Sequence, residues 1–258
     1  MPRLLARLLC IGLLIAATGA RAEKIMVAAA SDLKFAMDEI VANFRLHEPG
    51  HDIQVVYGSS GKFHTQIQQG APYDLYFSAD IAYPRALAKA GFAASPVQPY
   101  AVGRLVLWSA SLDARQLRLS DLADPKITRI AIANPKHAPY GQRAVEALRA
   151  AGVWQQTEPK LVYGENIAQA AQFVQTGNAE VGIIALSLAM SPALSGLGGY
   201  WLMPDTLHQP LTQGFVITRR AKTNALARRF AQHMGTPQAR AVMSRHGFAL
   251  PGDASAAR

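Results

Sequence analysis

The feature that most constrains the fold is a repeated unit: a short apolar run typical of a strand, a tight polar turn, and an amphipathic helical pattern. The first unit predicts a strand at Lys24–Ala30 and a helix at about 32–47. Similar units recur along the chain, with further strands predicted at Ile53–Tyr57, Leu75–Ser78, Arg104–Ser109, Arg129–Ala133, Lys160–Tyr163, Val181–Ala185 and Phe215–Thr218. Because strands that alternate with helices form helix-covered parallel sheets, the chain is predicted to be an α/β protein with mostly parallel sheets.

The length of 258 residues suggests two lobes, since a domain usually has about 100–200 residues. No low-complexity linker interrupts the chain, so two lobes joined by crossing strands are favoured over two separate domains. Breaks near Gly103 and Gly214 assign residues 23–103 plus 215–258 to the first lobe and residues 104–214 to the second. The crossing strands are expected to act as the hinge.

The first 22 residues have the three-part composition of a secretory signal peptide. Arg3 and Arg7 precede an apolar run at Leu8–Ala17, and a small-x-small cleavage pattern ends at Ala22. The run has roughly ten residues, too few for the ~20 of a membrane-spanning helix. Cleavage at residues 22/23 predicts an exported protein without its single cysteine, Cys10. It also removes three of the arginines behind the formal charge of +9, which leaves +6.

Four strand-to-helix turns are candidates for an anion site. Each combines small residues with polar ones: Ala28–Asp32, Tyr57–Gly61, Ala138–Gly141 and Tyr163–Ile167. In α/β sheets, ligands bind beyond the carboxyl ends of strands, where the first N–H groups of each helix lack partners and the helix dipole favours negative charge. The alternative for each turn is plain N-capping, by Ser31 and Ser60 for example. Several such turns together favour a binding site.

The sequence lacks the motifs that would indicate an enzyme or a bound metal cation. Gly58–Lys62 is too short for a phosphate-binding P-loop and lacks the order of a nucleophile elbow. His47 and His51 are separated by a Pro-Gly pair that ends a helix, so they do not form a helical metal-ligand pair. We therefore expect no enzymatic activity, no cofactor and no metal cation. The alternative is an exported hydrolase with Ser31 or Ser60 as nucleophile, which requires a nearby base.

The C-terminal third contains the main concentration of basic residues: Arg219, Arg220, Lys222, Arg228, Arg229, Arg240 and Arg245. A solvated helix face is the favoured interpretation, and a docking surface for a membrane partner is the alternative. Nucleic acid is not expected as a partner, because no aromatic residues are interleaved with the basic ones in a groove-like pattern.

Five longer motifs carry a family resemblance: Val27–Ser31, Tyr57–Gly61, Gly70–Asp80, Ala133–Gly141 and Arg245–Phe248. Together they resemble the periplasmic molybdate-binding proteins of ABC transporters, in the type II periplasmic binding protein family, and the likeness extends from Lys24 to Pro251. The resemblance implies a two-lobed periplasmic binding protein fold that captures molybdate, and also tungstate, for delivery to an inner-membrane ABC permease. It implies a periplasmic monomer that binds metal only as the oxyanion. Another oxyanion, sulfate or phosphate, is the alternative ligand.

The resemblance also implies four ligand contacts. Ser31 and Ser60 match two family serines that donate hydrogen bonds to oxyanion oxygens. Tyr140 matches a ligand contact in the second lobe, and Ile167 matches a backbone N–H donor at a helix start. The chain departs from many members at Ala185, where they have a tyrosine whose hydroxyl contacts the anion, and Tyr140 is expected to replace that donor.

A site of neutral donors suits molybdate and tungstate, because every oxygen of a deprotonated dianion accepts hydrogen bonds. Each hydrogen bond to a charged group contributes about 1.5–3 kcal/mol, so six or seven donors are enough for micromolar binding without Arg or Lys. Asp32 does not suit a dianion and is expected to point away from it, toward its own helix N-terminus. Phosphate would suit Asp32 better, because a protonated oxygen donates to a carboxylate. Asp74 and Asp80 are expected to hold loops near the cleft.

Overall fold

Residues 23–252 are described by a computed structural model. The predicted signal peptide at residues 1–22, which contains Cys10, lies outside the described residues. None of the helices within 23–252 combines the length and the apolar character that crossing a membrane requires.

The first predicted unit is confirmed. Strand β1 covers Lys24–Ala30, and helix α1 covers Lys34–His47 after a short 3-10 turn at Ser31–Leu33. Four consecutive residues of β1, Val27–Ala30, are buried, as expected for a strand with both faces covered. Helix α1 buries one face whose residues recur at helical spacing: Ala36, Met37, Ile40, Val41 and Phe44.

Nine further strands and eight further α-helices follow within residues 23–252. The strands are β2 (Asp52–Gly58), β3 (Leu75–Ser78), β4 (Gln98–Gly103), β5 (Leu105–Ser109), β6 (Ile130–Ala133), β7 (Leu161–Gly164), β8 (Val181–Ala185), β9 (Gly199–Leu202) and β10 (Leu211–Ile217). The helices are α2 (Ser60–Gln68), α3 (Ala82–Lys89), α4 (Pro139–Ala150), α5 (Trp154–Thr157), α6 (Ile167–Gln175), α7 (Leu186–Ala189), α8 (Ala225–His233) and α9 (Pro237–Arg245).

The strands form two five-stranded sheets with the same arrangement. The first has the order β2-β1-β3-β10-β4 and the second the order β7-β6-β8-β5-β9. In each sheet the first three strands of this order are parallel to one another, and the fourth, β10 or β5, runs antiparallel to both of its neighbours. The predicted two-lobed α/β fold is confirmed, and each sheet is mixed because of one antiparallel strand. The reason is that β5 and β10 enter their sheets from the other lobe and therefore run in the opposite direction.

The chain crosses between the sheets twice. Arg104 alone separates β4 of the first sheet from β5 of the second, and residues 203–210 lead back from β9 to β10. The division into residues 23–103 plus 215–258 and residues 104–214 stays a prediction.

Two strands were not predicted, and one was predicted too short. Strands β4 and β9 are edge strands with several partly exposed residues, so they lack a buried apolar run. Pro99 in β4 is tolerated because an edge strand does not need every N–H in its ladder. Strand β10 begins at Leu211 rather than Phe215, because its first half contains polar residues that the apolar pattern missed.

The core lies on both faces of the first sheet and around the second. One face of the first sheet packs against α1, α8 and α9, with Phe77 stacked on Phe215 at 4.7 Å and Phe44 edge-on to Phe230 at 5.2 Å between ring centroids. The C-terminal helices therefore return to the first sheet, as the sequence predicted. The other face packs against α2 and α3.

Candidate functional site

One cavity collects the four predicted turns. Strands β1 and β2 of the first sheet and β6 and β7 of the second end at this cavity, and the chain turns there into the following helices. The cavity is lined by Ala30, Ser31, Asp32, Gly58, Ser59, Ser60, Ala79, Ala138, Pro139, Tyr140, Asn166 and Ile167. Its free volume is about 10 Å³, which is about the space of one water molecule. A larger ligand therefore requires the walls of the two lobes to move apart.

All four predicted contact residues line this cavity. Ser31, Ser60, Tyr140 and Ile167 come from four different turns, and each is buried. Their contact with a ligand stays a prediction. The alternative interpretation of Ser31 and Ser60 as plain N-caps is wrong, because each is the first residue inside its helical turn and the N-caps are Ala30 and Ser59.

Ser31 links the first lobe to the start of α6. Its Oγ donates a hydrogen bond to Asn166 Oδ1 at 3.1 Å and accepts one from the N–H of Ala168 at 3.2 Å. Asn166 is the N-cap of α6, and its Oδ1 also accepts from the N–H groups of Ala168 and Gln169. Ile167 is the first residue of α6, so its N–H has no acceptor within the helix.

Ser60 is held by the end of the neighbouring strand. Its Oγ accepts a hydrogen bond from the N–H of Ala79 at 3.0 Å, and its carbonyl oxygen accepts from the Tyr76 hydroxyl at 2.7 Å. Since Oγ is the acceptor from Ala79, its own proton is available for donation into the cavity. This orientation agrees with the predicted role of Ser60 as a donor.

The backbones of the two lobes touch beside Ser60. The N–H of Gly61 donates to the carbonyl oxygen of His137 at 2.9 Å, and a Cβ at Gly61 would lie 2.7 Å from that oxygen. Ser59 Oγ donates to the same carbonyl at 2.5 Å and lies 2.8 Å from His137 Nδ1. Burial lowers the pKa of His137. Glycine at position 61 is what permits the two lobes to approach this closely.

Asp32 lines the cavity, and the expectation that it points away is wrong. Its side chain is buried, and its Oδ2 accepts hydrogen bonds from the Tyr140 hydroxyl at 3.0 Å and from Gln213 Nε2 at 2.6 Å. Its Oδ1 is enclosed and has no hydrogen-bond partner within residues 23–252. Burial raises the pKa of Asp32 to about 6, although hydrogen bonds from Gln213 and Tyr140, and nearby backbone N–H groups, oppose the rise.

A buried polar chain surrounds Asp32 and joins the lobes. Gln213 of β10 donates to Asp32 and also to the Tyr140 hydroxyl at 3.2 Å, while the Tyr100 hydroxyl of β4 donates to Gln213 Oε1 at 2.6 Å. A Cβ at Gly103 would lie 2.2 Å from the Tyr140 hydroxyl oxygen, so the first crossing passes directly against this chain. Burial holds the pKa values of Tyr140 and Tyr100 well above the ordinary range, so both hydroxyls stay neutral.

Sequence reasoning missed Gln213, Tyr100 and Asn166 as parts of the site. The position of Asn166 before a helical pattern was a signal for an N-cap. Nothing local marked Gln213, which lies at a bulge in β10, or Tyr100, which lies in an unpredicted strand.

Ala185, where the chain departs from its family, ends β8 and is fully buried. It carries no hydroxyl, and Tyr140 of the same lobe is the tyrosine that lines the cavity. Nearby, Ser187 Oγ of α7 donates to the carbonyl oxygen of Asp32 at 2.8 Å, which fixes the turn at Ser31–Leu33 against the second lobe.

Apart from Asp32, the charged side chains at this end of the two lobes form ion pairs outside the described residues that line the cavity. Lys62 forms an ion pair with Glu165 across the two lobes, and Arg143 forms one with Asp80 at 3.2 Å. Asp80 Oδ1 also accepts from the N–H of Ala82 at the start of α3, which confirms its predicted role in holding a loop near the cleft.

Asp74 has the other predicted structural role. Its Oδ2 accepts from the N–H of Met26 at 2.8 Å, and its Oδ1 lies 3.3 Å from Arg220 Nε. These contacts fix the loop that enters β3.

In the basic group near the C-terminus, Arg229 and Arg245 also form ion pairs, with Glu23 and Glu39, which agrees with a solvated helix face.

Comparisons with known proteins agree with this architecture. The sequence model of the family of bacterial extracellular solute-binding proteins matches residues 25–249. The chain is 37% identical to the molybdate-binding protein ModA of Azotobacter vinelandii over 235 residues, 91% of this chain and 93% of that protein. It is 36% identical to ModA of Rhodobacter capsulatus over 230 residues, 89% of each. The solved structure of the periplasmic molybdate-binding protein of A. vinelandii superposes with a TM-score of 0.82 at 32% identity, over 88% of this chain and 99% of that chain.

Proposed function

Because the chain belongs to the family of bacterial extracellular solute-binding proteins, we propose that it binds molybdate, and also tungstate, in the cavity between its two sheets. The convergence of four helix starts on one cavity with neutral donors carries this proposal. Relatives at 37% and 36% identity are named as molybdate-binding proteins, which supports the choice of oxyanion.

The chemistry of the cavity supports an anion that only accepts hydrogen bonds. Ser31, Ser60 and Tyr140 supply hydroxyl groups, and Ile167 supplies an N–H at the positive end of the α6 dipole. No Lys or Arg is among the described residues that line the cavity. Hydrogen bonds to a charged group contribute about 1.5–3 kcal/mol each, so these donors and neighbouring N–H groups account for tight binding without a cation.

Binding is coupled to movement of the lobes. Since the free volume is about 10 Å³, an oxyanion enters only when contacts such as Gly61 to His137 open, and the lobes then close on it. We propose that the protein acts as a monomer in the periplasm, after export by the predicted signal peptide, and delivers the anion to an inner-membrane ABC permease. It is proposed to have no enzymatic activity.

The alternatives differ in ligand or chemistry. Sulfate or phosphate would occupy the same cavity, and phosphate would use Asp32 as an acceptor. A hydrolase with Ser31 or Ser60 as nucleophile is disfavoured, because neither hydroxyl contacts a histidine among the described residues. Turnover of a simple ester that is lost in Ser60→Ala would favour the hydrolase.

Thermal unfolding with four sodium salts tests the proposed ligand. Molybdate and tungstate, each at a hundred times its dissociation constant, should add about 2.7 kcal/mol to the free energy of unfolding and raise Tm. Sulfate and phosphate at equal ionic strength serve as controls and should leave Tm nearly unchanged. If only sulfate or phosphate raises Tm, that anion and not molybdate is the ligand. If none of the four salts changes Tm, the protein does not bind an oxyanion of this kind.

A further inference from the structure

We propose that Asp32 binds the oxyanion as a neutral acid: its carboxyl group takes up one proton when the anion enters, and the new O–H donates a hydrogen bond to an anion oxygen. This inference rests on the proposed function and adds to it a contact residue and a coupled proton. The proton comes from solvent, so one proton and one anion enter the cavity together and no covalent bond to the anion forms.

The geometry places the proton on one oxygen of Asp32. Oδ2 accepts from the Tyr140 hydroxyl and from Gln213 Nε2, and it keeps the bond from Gln213 when the Tyr140 hydroxyl turns to the anion. Oδ1 is enclosed and lacks a hydrogen-bond partner within residues 23–252, which is costly for a buried polar atom, and Asp32 is one of the residues that line the cavity. A proton on Oδ1 turns this atom from an unpaired acceptor into a donor, and a donor is what the anion requires.

The charges around Asp32 make a second negative charge unfavourable. The titratable groups that face its carboxyl group are Tyr140 of α4 and Tyr100 of β4, and both stay neutral. The turn also packs against α1, β2, α6 and α7, and the ion pairs on α1 and just before α6, Lys34 with Asp38 and Lys62 with Glu165, are half exposed. No Lys or Arg is among the described residues that line the cavity, so protonation of Asp32 is what removes its repulsion with an incoming dianion.

The pH dependence follows from the pKa of Asp32. Burial raises this pKa to about 6, so at neutral pH the anion-free protein has mostly the charged carboxylate. A dianion in contact raises the pKa further, because like charges favour the neutral form. Above pH 6, each binding event then takes up one proton, and the dissociation constant rises about tenfold per pH unit until the pKa of the complex is reached.

Isothermal titration with sodium molybdate between pH 7 and 9, in buffers of different ionisation enthalpy, tests this inference. For the wild-type protein we expect uptake of about one proton per anion and a dissociation constant that rises about tenfold per pH unit. Asp32→Asn should bind with a constant dissociation constant and no proton uptake, because its amide is a neutral donor at every pH. Asp38→Asn, which removes an exposed carboxylate from the same lobe, should behave like the wild-type protein.

The outcomes separate this inference from the proposed function. Molybdate binding without pH dependence or proton uptake in the wild-type protein would overturn the role of Asp32 alone. The same rise of the dissociation constant with pH in Asp32→Asn would assign the proton to another group, such as His137, and would also overturn the role of Asp32. No binding of molybdate to either protein, with phosphate binding lost in Asp32→Asn, would overturn both, because the Asp32 carboxylate would then accept a hydrogen bond from a protonated phosphate oxygen.

Discussion

At the scale of single residues, the site depends on where each hydroxyl proton points. Ser60 Oγ accepts from the N–H of Ala79, which leaves its own proton for the cavity. The hydroxyl of Ser31 instead donates to Asn166, and the hydroxyl of Tyr140 donates to Asp32. Ser60 is therefore ready to donate, and the other two hydroxyls must exchange a partner when an anion enters.

Ser60→Ala tests this difference. Loss of one hydrogen bond to a charged group, about 1.5–3 kcal/mol, should raise the dissociation constant for molybdate about tenfold to a hundredfold in a calorimetric titration. Ser191→Ala is the matched control, because Ser191 is fully buried, its hydroxyl bonds only to the carbonyl oxygen of Leu188 among the described contacts, and it does not line the cavity. Equal affinity of Ser60→Ala and the wild-type protein would remove Ser60 from the site.

At the scale of elements, α6 matters because its first turn meets the other lobe. Asn166 caps α6 and accepts from Ser31, so one side chain both stabilises the helix and joins the lobes. Asn224 caps α8 by a hydrogen bond from the N–H of Ala227, far from the cavity. The two residues have the same local role and differ in their tertiary surroundings.

Asn166→Ala and Asn224→Ala separate capping from binding. Each should lower the free energy of unfolding by about 0.5–2 kcal/mol, because each removes an N-cap. Asn166→Ala should in addition weaken molybdate binding severalfold, since the start of α6 and Ser31 lose a common partner. Chemical denaturation and calorimetry measure the two effects, and an equal affinity in both variants would contradict a role of the α6 start in binding.

At the scale of the whole molecule, the two sheets exchange their fourth strands. Strands β5 and β10 each come from the other lobe, and the pairing of Leu211 with Gly103 brings the ends of the two crossings together. Tyr100 of β4 and Gln213 of β10 form the polar chain that holds Asp32 beside them. Closure of the lobes therefore brings the buried carboxyl group, the crossings and the backbone contact at Gly61 into one region.

Gly61→Ala should hold the lobes apart. The added Cβ would lie 2.7 Å from a backbone oxygen of His137, which cannot move aside as a side-chain end would. Overpacking of this kind costs about 1–3 kcal/mol, so we expect a larger radius of gyration in solution scattering and molybdate binding weakened about 5- to 150-fold. Gly196→Ala is the control, because a Cβ there meets nothing within 4 Å. An unchanged radius of gyration in Gly61→Ala would contradict this view of closure.

The α/β class, most of the elements and the positions of the four turns were predictable from the chain alone, because apolar periodicity and helix-start residues are local signals. The edge strands β4 and β9 were not, since half-exposed strands carry little periodicity. The mixed sheets were not either, because the direction of β5 and β10 depends on which lobe each strand comes from.

Local sequence was thus sufficient to mark the four turns that meet at one cavity, since each lies where a strand turns into a helix, and the family resemblance named Ser31, Ser60, Tyr140 and Ile167 within them. Local sequence was insufficient for Asp32, because it predicted that this side chain points toward the N-terminus of its own helix. The partners that hold Asp32 in the cavity, Tyr140 and Gln213, are 108 and 181 residues away along the chain. Burial and hydrogen bonding between such distant residues exist only after the lobes have packed, and these interactions place a titratable group in the wall of the cavity.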